Sequence, residues 1–244
     1  MNLVIDIGNS RAKLAIFSQN RMVGSSFAEL LSMEGIKELT DRFPGTDRAI
    51  MSKVTSIDPS VIEYLRRTYP AFLELNHLTA VPIRNNYQTP ETLGLDRLAA
   101  AIGARELFPD QDLLVIDAGT AITFDLVESN GTFAGGNISP GLSSRFRALH
   151  EFTGNLPWME SVDQFPLIGR TTEEAIQSGV LNGMIMEIDG MIDSLKKKYP
   201  EIQSVLTGGD ALFFERRLKN HIFVKSEITL IGLNRILEYN VEKQ

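Results

Sequence analysis

The chain has 244 residues, 43% of them hydrophobic and 23% charged, with a net charge of −7 and no cysteine. This excludes disulfides, thiolate metal sites and a cysteine nucleophile, and the negative balance opposes nonspecific nucleic-acid binding, which needs a cationic field to displace counterions from phosphates. No apolar run approaches the roughly 20 residues that span a bilayer, and the start "MNLVIDI" lacks the basic and long apolar regions of a secretory signal, so a soluble, cytoplasmic protein with neither membrane nor nucleic acid as partner is expected.

In chain order, short β-branched runs predict strands at 2–7, 12–18 and 21–27, then a helix at 33–43, a strand at 47–53, and a helix opened by Asp58 as N-cap with Pro59 at its first position. A strand at 71–75, a polar loop "RNNYQTPETLG" and an Ala-rich helix over 95–107, with Pro109 beyond its end, complete a first half. The second half starts again with strands at 112–117, 121–127 and 132–138 and a helix at 141–153. An irregular loop with Pro and Gly follows, then a long helix over 172–198. A strand at 202–207, a helix at 210–219, a strand at 221–224 and a helix at 229–240 close the chain. Three strands followed by alternating helices and strands thus occur twice, which predicts two α/β halves on one plan, 1–109 and 110–244.

The residues repeat as well. Setting Asp6 on Asp117, an offset of 111, brings Leu3, Val4, Ile5 and Gly8 onto Leu114, Val115, Ile116 and Gly119, Asn9 onto Thr120, and Ala15 and Ile16 onto Leu126 and Val127. An apolar strand does not comfortably end in an unpaired carboxylate, so Asp6 and Asp117 belong at open strand ends. Gly8 and Gly119 allow a tight turn there, and the small residues beyond leave backbone N–H groups free to face an anion. Carboxylates beside phosphates repel them unless a divalent ion with its waters lies between, and Lys13 adds a point charge on the same side. Singly, each D-x-G reads as no more than a strand-ending turn; two copies in equivalent places read as paired phosphate loops. In "VLTGGDA" a strand runs into Gly208 and Gly209 just before a helix, which permits close approach of a flat ring such as adenine, although strand, Gly-Gly and helix is also a generic connection.

Elsewhere the bland reading leads. Lys196, Lys197 and Lys198 close a helix and complement its dipole. His77, His150 and His221 lack metal-ligand spacing, and Trp158 beside Pro157 reads as packing or an interface anchor. Asp96, in the first turn of its helix, is by itself a capping residue. Thr171 and Glu174 make a T-x-x-E capping box.

With "DIGNS" at 6–10, "GLDR" at 94–97, "DAGTA" at 117–121, "GGNISPGL" at 135–142, "GRTTEEAIQSG" at 169–179 and "TGGDA" at 207–211, the chain resembles the actin, heat-shock chaperone and sugar-kinase superfamily, and within it the type III pantothenate kinases. The resemblance implies an α/β fold of duplicated actin-like (ribonuclease H-like) βββαβαβα halves with a nucleotide cleft between them. It implies ATP-dependent phosphorylation of pantothenate, the entry step of coenzyme A synthesis, with Asp96 as proton acceptor and Tyr87, Gly94, Leu95, Asp96 and Arg97 binding the substrate, the Arg97 guanidinium suiting its carboxylate. Asp6, Ile7, Gly8, Asn9, Ser10, Arg11, Ala12 and Lys13, with Thr120, Gly208 and Gly209, are then the ATP-binding residues. Mg²⁺ would sit at Asp6 through water, and a monovalent cation, K⁺ or NH₄⁺, at Asp117. The resemblance also implies a homodimer in which Thr171 reaches the neighbouring subunit's site; the family usually has Lys where this chain has Arg170. A kinase of another small alcohol and a nucleotide-sensing accessory factor without turnover are the alternatives; an actin-like filament former suits so short a chain less.

Overall fold

Two antiparallel hairpins, one after residue 7 and one after residue 118, set the plan of the computed structural model, which describes residues 1–9 and 11–243. The chain divides into two compact units: Met1–Asp110 with Glu128–Ala134 and Glu227–Gln244, and Gln111–Val127 with Gly135–Ser226.

The first unit contains β1 (Asn2–Ile7), β2 (Ala12–Ser18), β3 (Arg21–Ala28), α1 (Met33–Asp41), β4 (Arg48–Lys53), α2 (Pro59–Thr68), β5 (Ala71–Glu74), β6 (Arg84–Asn85), a 3₁₀ turn (Pro90–Thr92) and α3 (Leu95–Leu107). Its sheet has the order β3-β2-β1-β4-β5, with β1 antiparallel to β2 and parallel to β4. Alternation along β1 sorts its two faces. Leu3, Ile5 and Ile7 pack with Leu14 and Ile16 of β2 against Ile36 and Leu39 of α1 and Val61 and Leu65 of α2. Asn2, Val4 and Asp6 share the opposite face, where Asn2 donates to Asn234 Oδ1 at 2.8 Å. Asn234 lies on the last helix, which with α3 covers that face. Helix starts follow the sequence: Ser32 accepts from Gly35 N at 3.0 Å, and Asp58 from Ser60 N at 2.9 Å.

The second unit takes up β7 (Leu113–Ala118), β8 (Ala121–Glu128), β9 (Thr132–Pro140), α4 (Leu142–Phe152), α5 (Thr172–Lys196), β10 (Gln203–Thr207), α6 (Ala211–Glu215) and β11 (Phe223–Val224), after which α7 (Ile228–Val241) returns to the first. The strand order β11-β10-β7-β8-β9 repeats the plan of the first sheet, and β6 pairs in parallel with Thr132 and Phe133 at the start of β9. The core gathers Leu114, Ile116, Ile122 and Phe124 with Leu181, Met184 and Ile188 of α5.

Three expectations change. The repeat holds a single offset only as far as the loops: Val4 faces Ala15, whereas Val115 faces Asp125, and Leu3 faces Ile16 where Leu114 faces Leu126. The second connection is one residue shorter, so Ala15 and Ile16 correspond to Asp125 and Leu126, one position earlier than the constant offset places them. This keeps Ile16 and Leu126 on the core face. The polar loop before α3 contains β6, held by Arg84 N to Gly131 O at 2.9 Å and Asn86 N to Phe133 O at 3.0 Å. Finally, α6 stops at Glu215 because the following chain tightens, with Arg217 N on Phe214 O at 2.8 Å, and then turns away where the buried Asp189 carboxylate accepts Lys219 N at 3.2 Å and Asn220 N at 3.1 Å.

α3 and α7 cross with backbone against backbone. A Cβ on Gly103 would overlap the Ile228 carbonyl oxygen, and one on Gly232 that of Ala99. Even one methyl group must push the helices apart. Gly232→Ala is therefore expected to cost about 1–3 kcal/mol of stability, read as a lower urea midpoint at unchanged slope; an unaffected midpoint would show that the crossing has slack.

Candidate active site

In the first unit, Asp6 lies near the end of β1, 8% exposed, directly across from Lys13 on β2 and beside Ser52 on β4. The turn beyond closes with Gly8 N on Arg11 O at 3.1 Å. Gly8 is not in the left-handed region, and among the described residues a Cβ on it would meet nothing nearer than Arg11 O at 3.5 Å. The described contacts therefore make no demand for glycine here, unlike the tight-turn expectation. Asn9 and Arg11 are exposed, Arg11 with its guanidinium 5.9 Å from the Phe27 ring centroid. Ile7 and Ala12 belong to the core cluster, which limits them to backbone contacts with any ligand. Ser10 lies outside the described residues.

The second loop is boxed in. Asp117 stands at the end of β7, across from Thr123 on β8 and Thr207 on β10. Gly119 N bonds Ala121 O at 2.9 Å, and the Thr120 carbonyl accepts both Gly141 N at 3.1 Å and Ser144 Oγ at 2.7 Å. Gly141 opens α4, and a side chain there would overlap Gly119 O and come within 2.7 Å of Thr120 O. Arg145 anchors this corner, donating to Pro140 O at 2.7 Å and Ser139 Oγ at 2.9 Å while pairing with Glu187 of α5. From the other side Gly208, with φ +98°, presses on Ala118 O, and its missing Cβ would sit 2.6 Å from Asp117 Oδ1. Asp210 N donates to Ala118 O at 3.0 Å. "DAGTA", "NISPG" and "TGGD" thus meet at one strand end. Pairing of the last two around Gly119–Thr120 had no signal beyond their glycines.

The "GLDR" segment and Tyr87 come together in the first unit. Gly94 is the N-cap of α3, and Asp96 Oδ1 accepts Arg97 N at 2.8 Å, folding back over the free helix N-terminus that favours an anion. A Cβ on Gly94 would approach that oxygen to 2.5 Å. Leu95 is half-buried beside it. Arg97, 7% exposed, has its guanidinium 5.7 Å from the Tyr87 ring centroid and 6.0 Å from that of Phe133, the two rings being 6.2 Å apart. The guanidinium lies over both ring faces, a cation–π arrangement, and the rings sit side by side on one flank of it. Tyr87 N donates to Asn85 Oδ1 at 2.9 Å, so pairing of β6 with β9 delivers both rings. Sequence reasoning missed Phe133, which carries no mark as a partner of Arg97.

Thr171 belongs to the second unit. It is the exposed N-cap of α5 and accepts Glu174 N at 3.1 Å, as the capping box predicts, but the Glu174 carboxylate takes Arg170 N at 2.7 Å, one residue before the usual partner. Gly169 makes this possible, since a Cβ there would overlap the backbone of Ala175.

A family model for type III pantothenate kinase matches residues 2–194. The type III pantothenate kinase of Phocaeicola vulgatus is 45% identical over 240 residues, covering 98% of this chain and 99% of that protein. Among solved structures, a Campylobacter jejuni protein described as a Baf family transcriptional activator aligns with a TM-score of 0.63 at 24% identity, over 98% of this chain and 99% of that one. A ROK family glucokinase from Streptomyces griseus, in complex with glucose and AMPPNP, aligns with a TM-score of 0.55 at 9% identity over 98% and 99%. At such identities these two speak for the fold alone, the actin-like fold of sugar kinases, while the match of family model and relative along the chain carries the assignment: the chain belongs to the type III pantothenate kinase family.

Proposed function

We infer that this chain transfers the γ-phosphoryl group of ATP to the primary hydroxyl of pantothenate, giving 4′-phosphopantothenate in the first step of coenzyme A biosynthesis. The observation that carries this reading is the convergence of Tyr87, Asp96 and Arg97 at the start of α3 in a chain related along its length to type III pantothenate kinases. Arg97 holds the carboxylate of pantothenate through its N–H edge, Tyr87 lines the same place, and the backbone of Gly94 and Leu95 completes it. Asp96 has one oxygen on Arg97 N and offers the other to the acceptor hydroxyl. As the hydroxyl oxygen bonds to the γ-phosphorus, its proton passes to Asp96 and the bond to the bridging oxygen of ADP breaks; positioning and electrostatics supply most of the acceleration.

ATP is held by Asp6, Gly8, Asn9, Ser10, Arg11 and Lys13, by backbone of Ile7 and Ala12, and by Thr120, Gly208 and Gly209. Asp6 and Asp117 each bring a single carboxylate at a strand end. That donor set suits ions that keep waters or take carbonyl oxygens, not a closed protein cage: Mg²⁺ near Asp6 and K⁺ or NH₄⁺ at Asp117. When bound, such ions neutralise phosphate charge. No helix of the described residues is long and apolar enough to cross a membrane, and a cytoplasmic location fits an ATP-consuming reaction.

The protein acts as a homodimer in which Thr171 reaches pantothenate in the neighbouring subunit. Its oxygen already accepts Glu174 N, which leaves the hydroxyl hydrogen to donate.

ADP release by wild type is expected to depend on pantothenate and on K⁺ in place of Na⁺, and to fall by about 10²–10⁴ in Asp96→Asn with ATP binding retained. A folded, ATP-binding protein indifferent to pantothenate would sink the assignment. For the dimer, Thr171→Val and Asp96→Asn should each be weak alone and regain activity when mixed, because one site of each mixed dimer is intact; full activity in a preparation shown to be monomeric refutes this arrangement.

A further inference from the structure

Asp210 is a carboxylate that nothing described so far employs. It occupies the N-cap position of α6, where its backbone carbonyl accepts Phe213 N and Phe214 N but its side chain accepts nothing from the helix, and its carboxylate has no hydrogen-bond or ion partner among the described residues. Burial pushes its pKa up, with no donor or cation to pull it back. Two other acids of the same unit are met by donors: Asp189 accepts Lys219 N, Asn220 N and Asn220 Nδ2, and Asp193 pairs with Lys219 at 2.6 Å. A half-buried carboxylate without donors is unfavourable unless a ligand or water supplies them.

Its place says which ligand. Asp210 follows Gly208 and Gly209 at the carboxyl end of β10, where that strand runs parallel to β7, and its own N–H is tied to Ala118 O at the end of β7. Open α/β sheets take their ligands at this edge of parallel strands. Two residues without side chains precede the carboxylate, and its backbone tie holds it in place. The ligand must present hydrogen-bond donors and must not present phosphate, which the charge repels. A nucleoside triphosphate has one part with two adjacent donors that match the two oxygens of a carboxylate: the ribose diol.

We propose that Asp210 accepts hydrogen bonds from the ribose hydroxyls of the bound nucleotide and makes the protein select ribonucleotides over deoxyribonucleotides. This rests on ATP being the phosphoryl donor. Asp210 is a specificity-determining residue here, distant in role from the proton transfer at Asp96.

The test is calorimetric titration of ATP, 2′-deoxy-ATP and 3′-deoxy-ATP into wild type, Asp210→Ala and Asp210→Asn, without acceptor, followed by steady-state rates with pantothenate. Wild type should bind ATP about ten- to hundred-fold more tightly than at least one deoxy analogue, the range expected for hydrogen bonds to a charged group. Asp210→Ala should lose that factor on ATP and bind all three alike within about two-fold, while Asp210→Asn, nearly isosteric, keeps part of the discrimination. A folding defect would weaken every nucleotide and lower the melting temperature together, and the Asn variant then decides. Equal binding of the three by wild type, or discrimination retained in Asp210→Ala, overturns the proposal. So does a variant whose ribose preference persists while its Mg²⁺ or K⁺ requirement shifts, since Asp210 would then serve a cation. ATP binding without pantothenate-dependent turnover would remove the acceptor reading alone and leave the ribose comparison in force; no ATP binding by wild type would remove both.

Discussion

At the end of β7 three segments come so close that only hydrogen atoms fit between their backbones. Gly208 lies on the Ala118 carbonyl with 2.6 Å between its missing Cβ and Asp117 Oδ1, and Gly141 lies on the carbonyls of Gly119 and Thr120. The carbonyl contacts cannot be relieved by turning a side chain, because the atoms that meet there belong to the main chain. The loop that follows Asp117 is therefore held from both sides before any ligand arrives. Two donors on the Thr120 carbonyl and the Arg145 anchor to β9 and α5 complete the fixing. A loop fixed in advance loses less conformational freedom on binding any ligand.

The first unit solves the equivalent problem differently. Its loop is one residue longer, and among the described residues Gly8 meets only ordinary contacts. The same strand order and the same strand-ending Asp thus carry one loop whose glycines are pressed by neighbouring backbone and one whose glycine meets no such pressure from the described residues, so duplicated architecture need not mean duplicated mechanics. Rigidity in this unit is placed elsewhere, at the crossing of α3 and α7, where glycines again let backbones touch. That crossing supports the helix whose first turn carries Asp96 and Arg97. The rings of Tyr87 and Phe133, side by side on one flank of the Arg97 guanidinium, add orientation, since they fix where that cation rests.

Much of this was legible in the chain itself. Alternation and helical spacing determined nearly every strand and helix, Asp58 and Thr171 marked helix starts through caps that the structure forms, and the repeated D-x-G pointed to a doubled α/β plan. These signals are local: they express torsional preference, the side of an element that must leave water, and the need of free N–H groups for a partner. What only tertiary structure decided is which distant segments touch. A two-residue strand such as β6 exists because β9 lies beside it, α6 is short because the chain after Glu215 tightens onto the Phe214 carbonyl before Asp189 draws it away, and Phe133 matters because it shares Arg97 with the Tyr87 that β6 delivers. The register of β8 likewise depended on a loop one residue shorter, a length that strand alternation cannot report until the partner strand is in place. Residue identity set each element and its face, while the contacts of Gly141, Gly208, Gly103 and Gly232 came from packing, because a missing side chain acquires meaning only from the atoms that fill its place.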